Sequence, residues 1–148
     1  MKEFVLAFLG SLCAGLVFNV RGYRLVYSGL SGVAGWMVYI GLLNLTGHSI
    51  LSIFGGAIAV GIYSESAARL LKSPSAIFSI PGIFPIVPGI AAYETIQYMT
   101  ANDMFHAGGK LVETLAGAGS IAFGIILVTA LFRLLTKPKI KRSELYQK

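Results

Sequence analysis

PGIFPIVPG, residues 81–89, decides how this chain is read. It sets Pro81, Pro85 and Pro88 inside a run that carries no charge from 73 to 93. Proline has no backbone N–H and its ring clashes with the preceding turn, so a straight helix cannot pass through three of them. The residue before each proline is pushed toward extended backbone. Together with Gly82 and Gly89, this predicts non-helical geometry at Ile80, Phe84 and Val87 and an interruption over 80–89. Pro88 also suits the first turn of a new half-helix, where its missing N–H is harmless. That half-helix is expected to run through Tyr93 and Glu94 toward Gln97 and Tyr98.

The flanks show what surrounds the break. Of 148 residues, 55% are hydrophobic and 12% charged, against about 25% charged in an ordinary soluble domain. Uncharged runs at 4–20, 25–47, 73–93 and 114–132 all fall within the roughly 17–25 residues that cross a bilayer. A fifth run at 49–64 continues past Glu65 through Ala67 and Ala68 to Leu71. The expected fold is an all-α integral membrane protein of five transmembrane helices, near 4–20, 25–47, 49–71, 73–100 and 113–135. They form one membrane domain over 1–136, followed by a basic cytoplasmic tail at 137–148.

The basic residues give the orientation. Arg21 and Arg24 follow the first span, Arg69 and Lys72 the third, and Arg133, Lys137, Lys139, Lys141, Arg142 and Lys148 the fifth; only Lys2 and Lys110 fall on the other side. Lys and Arg in short loops stay on the cytoplasmic side, so the N-terminus is expected outside and the C-terminus inside. The net charge of +6 then serves topology and anionic lipid headgroups, and no nucleic acid is expected as a partner. The opening residues are expected to remain as a first span, because Lys2 is offset by Glu3 and no A-x-A cleavage site follows. Cys13 stands alone, which rules out a disulfide within the chain.

Small residues recur three or four apart: Ser28, Gly32 and Gly35 on one face of the second span, Gly55 and Ala59 on the third, Ser120 and Gly124 on the fifth. Such faces let helices approach closely in lipid, where packing drives association. Polar residues within the spans are costly and mark function by default. Asn19, Glu65, Glu94 and Glu113 qualify, each with a structural alternative. Asn19 also suits a helix end, Glu65 has the spacing to pair with Arg69, and Glu94 and Glu113 can be hydrated near the surface. His48 and His106 stand apart without metal-ligand spacing, so no metal or cofactor is expected. Hydrolase, zinc-protease and phosphate-loop motifs are missing from the sequence, and an enzyme is not expected.

Two readings of the break follow. It is either a proline kink satisfied by neighbouring helices or part of a transport site. Irregular backbone at membrane depth is tolerated where protein or a water-filled cavity satisfies it. The N-terminal end of a half-helix favours anions, and many secondary transporters bind substrate at such ends.

The residues also carry a resemblance. FPIVPG followed by IAAY, with ARLLKSPSAIFSIPGI upstream and VFNV at 17–20, is similar to the C-terminal-half family of threonine/serine exporters. The resemblance covers nearly the whole chain and is of the short type that works with a separately encoded half. It implies one half of an exporter of threonine, serine or a related small carboxylate in a bacterial plasma membrane. It further implies a complementary five-span partner inserted the opposite way. Expected substrate contacts are Asn19, Pro81, Pro85, Pro88, Gly89 and Tyr93, with Glu65 or Glu94 as proton carrier. An accessory scaffold subunit and a homo-oligomeric channel remain as alternatives.

Overall fold

The computed structural model describes residues 2–135, and the tail expected at 137–148 lies outside the described residues. Six helices follow in order: α1 (Lys2–Val17), α2 (Tyr23–Thr46), α3 (Ser49–Leu70), α4 (Ala76–Ile83), α5 (Gly89–Thr100) and α6 (Met104–Leu135), with a 3-10 turn at Phe84–Ile86 between α4 and α5. No strand occurs among the described residues. Helices α2, α3 and α6 are long and apolar enough to cross a membrane, and the pair Ala76–Ile86 and Gly89–Thr100, bent by 56°, makes a fourth if taken as one broken span. Helix α1 has 16 residues, or about 24 Å at 1.5 Å per residue, shorter than the roughly 30 Å hydrocarbon core.

Sharp stops separate the helices. Asn19, Lys72 and Asn102 take positive φ values of 59°, 48° and 58°. After Asn19, the Val20 N–H donates to the Gly15 carbonyl at 2.9 Å, and the Asn19 N–H donates to Leu16 at 2.9 Å. That paired pattern is a Schellman stop, which satisfies carbonyls at a helix end through one left-handed residue. The same pairing recurs at Asn102, with Asp103 N–H to the Tyr98 carbonyl at 3.0 Å and Asn102 N–H to Met99 at 3.2 Å.

The interior is made of small residues. Ser28, Ser31, Gly32 and Gly35 of α2 are buried, as expected for that face. On α3 the buried face runs through Ser52, Gly56, Ala57, Val60, Gly61 and Ser64, so Gly55 and Ala59 lie beside it rather than on it. On α6, Gly117, Ile121, Gly124 and Val128 are buried. A Cβ on Gly124 would come within 2.9 Å of the Ala57 Cβ, and one on Gly61 within 3.0 Å of the Val128 Cβ. Close approach of this kind replaces the bulky core of a soluble protein. Ser31 and Ser64 hydroxyls meet across α2 and α3 at 3.3 Å, while Phe78 of α4 is fully buried beside Ala67 and Ala68.

The break is narrower than the expected 80–89. Pro81 lies inside α4, and Phe84 is helical at φ −54°, ψ −42°, with its N–H bonded to the Pro81 carbonyl. Only Val87 is extended, at φ −63°, ψ 133°. The bias against helix before proline is overridden at Ile80 because Pro81 and Gly82 are buried, with Gly82 directly against Ser31 and Val60.

Candidate functional site

The break opens onto a cavity of about 350 Å³ walled by Trp36, Tyr39, Ser49 and Ile53, by the 85–91 backbone, and by Glu94, Lys110 and Glu113. This is at the small end of small-molecule sites, which run to about 300–1,000 Å³. Ile86, 3% exposed, stands at its base within the cluster of Ile53, Ala57, Val60 and Ile121. Helix α5 begins at the wall: Pro88 caps it, and the Gly89 N–H turns back to the Val87 carbonyl at 2.7 Å. The next N–H groups of that first turn have no partner within the helix and give the wall a partial positive charge.

Charge gathers opposite this end. Lys110 Nζ lies 2.8 Å from Glu94 Oε2 across the α5–α6 hairpin and 3.2 Å from Glu113 Oε2 one turn along α6. The Glu94 contact is an ion pair without aligned hydrogen-bond geometry, so Oε2 accepts no well-formed hydrogen bond. The lysine and Glu94 side chains are each about a third exposed, at 35% and 33%. Trp36 stacks obliquely on Tyr39 at 5.2 Å between ring centres, and its Nε1 is buried without a hydrogen-bond partner.

The structure therefore brings together Pro85, Pro88, Gly89 and Glu94 in one wall. It places the remaining predicted residues elsewhere. Pro81 is buried between α1 and α2, where a Cβ on Gly15 would reach its ring at 3.8 Å. Tyr93 is 66% exposed on the outer face of α5. Asn19 serves the stop after α1, and its Oδ1 accepts a hydrogen bond from Arg21 Nε at 3.0 Å. Glu65 is half-buried on α3 and forms no ion pair with Arg69 among the described residues. Arg69 instead donates to the Phe132 carbonyl at 3.1 Å and lies 4.7 Å over the Phe132 ring, joining α3 to α6. Lys110 and Trp36 were not among the sequence-predicted site residues. A legible signal existed for Lys110: a hairpin turning at Asn102 sets positions 94 and 110 level, eight residues to each side.

At the hairpin itself, Asp103 accepts the His106 N–H at 3.2 Å and sits 2.7 Å from the His106 ring. These bonds hold the Asp103 carboxyl below the usual range, the His106 backbone N–H first and its ring second. No group of three His, Cys, Asp or Glu suited to a metal occurs among the described residues.

The described residues thus make a bundle of apolar helices, three or four of them long enough to cross a membrane, with a small charged cavity at the broken helix. The chain belongs to the family described as Threonine/Serine exporter, ThrE, whose profile matches residues 3–131. It is 25% identical over 128 residues to a probable threonine/serine exporter of Mycobacterium tuberculosis, covering 83% of this chain and 24% of that protein. It is 37% identical over 83 residues to the threonine/serine exporter of Corynebacterium glutamicum, covering 55% of this chain and 17% of that protein. An uncharacterized protein of Haemophilus influenzae is 25% identical over 141 residues, covering 89% of this chain and 47% of its own length. The chain thus spans less than half the length of each of these relatives. No solved structure matches.

Proposed function

We propose that this chain is one half of a secondary exporter of threonine, serine or a related small carboxylate, and that the cavity beneath Pro85–Pro88 is its share of the substrate site. The observation that carries this is the meeting of a broken-helix end with Glu94, Lys110 and Glu113 in a cavity of small-molecule size. Family membership supplies the substrate class. The unmatched length of the relatives supports a complementary partner. In this reading α1 completes five spans, the N-terminus is outside, and the protein resides in a bacterial plasma membrane. Pro85, Pro88 and Gly89 shape the wall and Glu94 carries the coupled proton. Tyr93, on the exposed face of α5, meets the partner rather than substrate.

The test is export from proteoliposomes holding this chain, the complementary five-span chain, or both, under an imposed proton gradient. Labelled threonine or serine moves when both are present, and Pro88→Ala lowers the rate at least several-fold while assembly persists. If neither threonine, serine nor a dicarboxylate moves with both chains present, the exporter reading is refuted. Assembly of Pro88→Ala at the wild-type export rate refutes the site alone.

A further inference from the structure

We infer that Lys110 is the ligand for the substrate carboxylate, held at rest between Glu94 and Glu113, and that this trio selects zwitterions over dianions. The inference rests on the transport cavity proposed above and adds a residue and a selectivity that sequence reading did not assign.

The charge balance makes the argument. Two carboxylates and one ammonium leave the trio at −1, and the first turn of α5 contributes about half a positive charge. The wall is thus slightly negative as a whole but sharply divided within. A dicarboxylate would bring two negative charges to a site with one cation already shared between two glutamates, and like charges at close range are strongly unfavourable where water is restricted. A zwitterion meets no such penalty. Its carboxylate takes Lys110 and the α5 end, and its ammonium takes a glutamate that Lys110 releases. The opposite-charge contacts rise from two to three, and no net charge enters the cavity.

Geometry makes the exchange feasible. The Glu94 contact joins two helices, so a competing carboxylate can replace it without disturbing a pair within one helix. The Glu113 contact comes from the same helix, three residues on, and keeps the lysine head at the cavity when Glu94 lets go. Trp36 lines the same wall.

Trp36 is also the chain's one tryptophan, so its fluorescence reports on this cavity. The full chain, assembled in lipid nanodiscs with the complementary five-span chain whose own tryptophans are replaced by phenylalanine, is titrated with L-threonine, threoninamide and succinate. The expected result is a saturable change with threonine and at least tenfold weaker responses to threoninamide, which lacks the carboxylate, and to succinate. Lys110→Gln should reduce the threonine–threoninamide difference to twofold or less, and Lys110→Arg should largely restore it. The comparison of ligands on the unaltered protein stands even if Lys110→Gln fails to fold. Equal binding of threonine and threoninamide by the unaltered chain overturns the carboxylate role. Stronger binding of succinate overturns the zwitterion preference. An unchanged ligand difference in folded Lys110→Gln overturns the assignment to Lys110, and absence of any saturable response overturns the inference as a whole. Export by the paired chains is scored separately, so the transport reading stands or falls on its own result.

Discussion

Gly117 offers a direct test of how packing shapes the cavity. It is buried on α6, and a Cβ placed there would come within 2.9 Å of the Pro88 Cγ and 3.3 Å of both the Pro88 Cβ and the Ile53 Cδ1. Pro88 is a rigid ring that caps α5, so it cannot swing aside as a flexible side-chain end would. Gly117→Ala should therefore displace the break itself. Two residues on, a Cβ at Gly119 would meet nothing within 4 Å. Each change gains about 1 kcal/mol of helix propensity, but overpacking at 117 costs about 1–3 kcal/mol. Gly119→Ala is thus expected to stabilise by up to about 1 kcal/mol. Gly117→Ala should be neutral to destabilising by about 2 kcal/mol, a difference between the two of about 1–3 kcal/mol. Thermal or denaturant unfolding in nanodiscs measures that difference, and Trp36 emission with threonine export measures the functional effect. Indistinguishable stability and export in the two variants would falsify the claim that α6 holds the break in place through Gly117.

Phe78→Ala should destabilise the fold by about 3–5 kcal/mol, because Phe78 is fully buried against Ala67 and Ala68; a denaturant midpoint unchanged from wild type would refute its place in the core. Ser11→Ala should leave stability unchanged or raise it by about 1 kcal/mol, since the Ser11 hydroxyl is buried with no hydrogen-bond partner and an unsatisfied group costs about that much or more; a clear loss would reveal a partner for it. Asp103 has a folded pKa below its unfolded one, so its bonds to His106 contribute above the ordinary carboxylate range and are lost as pH falls through the lowered value. Protection from hydrogen exchange at the 101–106 turn, taken relative to the intrinsic rate at each pH, should fall at acid pH in the wild type, whereas Asp103→Asn should flatten that dependence.

The presence of a break was readable from 81–89 because proline's constraints are local and independent of the rest of the fold. Its extent was not, since the preference against helix before proline is weak beside the burial of Pro81 and Gly82. The inward face of α2 was readable because bulky and small residues divide there into distinct stripes. Helix α3 is small and apolar around much of its circumference, so Gly55 and Gly56 are near-equivalent in the sequence, and only the packing of Gly56 against Gly35, Tyr39 and Ile86 distinguishes the buried stripe. Asn19 was legible as either a site residue or a helix end, and its positive φ settles its backbone role at the end of α1. Lys110 was counted as a loop charge for topology, and its pairing with Glu94 sixteen residues earlier becomes legible only once the hairpin is taken to turn at Asn102.

The geometry of the cavity bears on the alternatives of a scaffold or a simple channel. A scaffold reading leaves Glu94, Lys110 and Glu113 as a surface ion-pair cluster, whereas the proposed exporter uses them as the wall of its cavity. A channel needs a continuous path, yet beneath the cavity Ile86 packs into the Ile53, Ala57, Val60 and Ile121 cluster, and Gly82 is pressed against Ser31 and Val60. That packing closes the cavity wall where Ile53 and Ile86 line it. In the proposed exporter, passage would need the 84–88 segment to shift against α2 and α3, and movement of a gating element around a site is alternating access rather than conduction through a standing pore. The small residues in that packing are also what allow the segment to slide: contacts such as Gly82 on Ser31 interlock less than large side chains would. The same composition that packs this chain closely thus leaves its break the element best suited to change position.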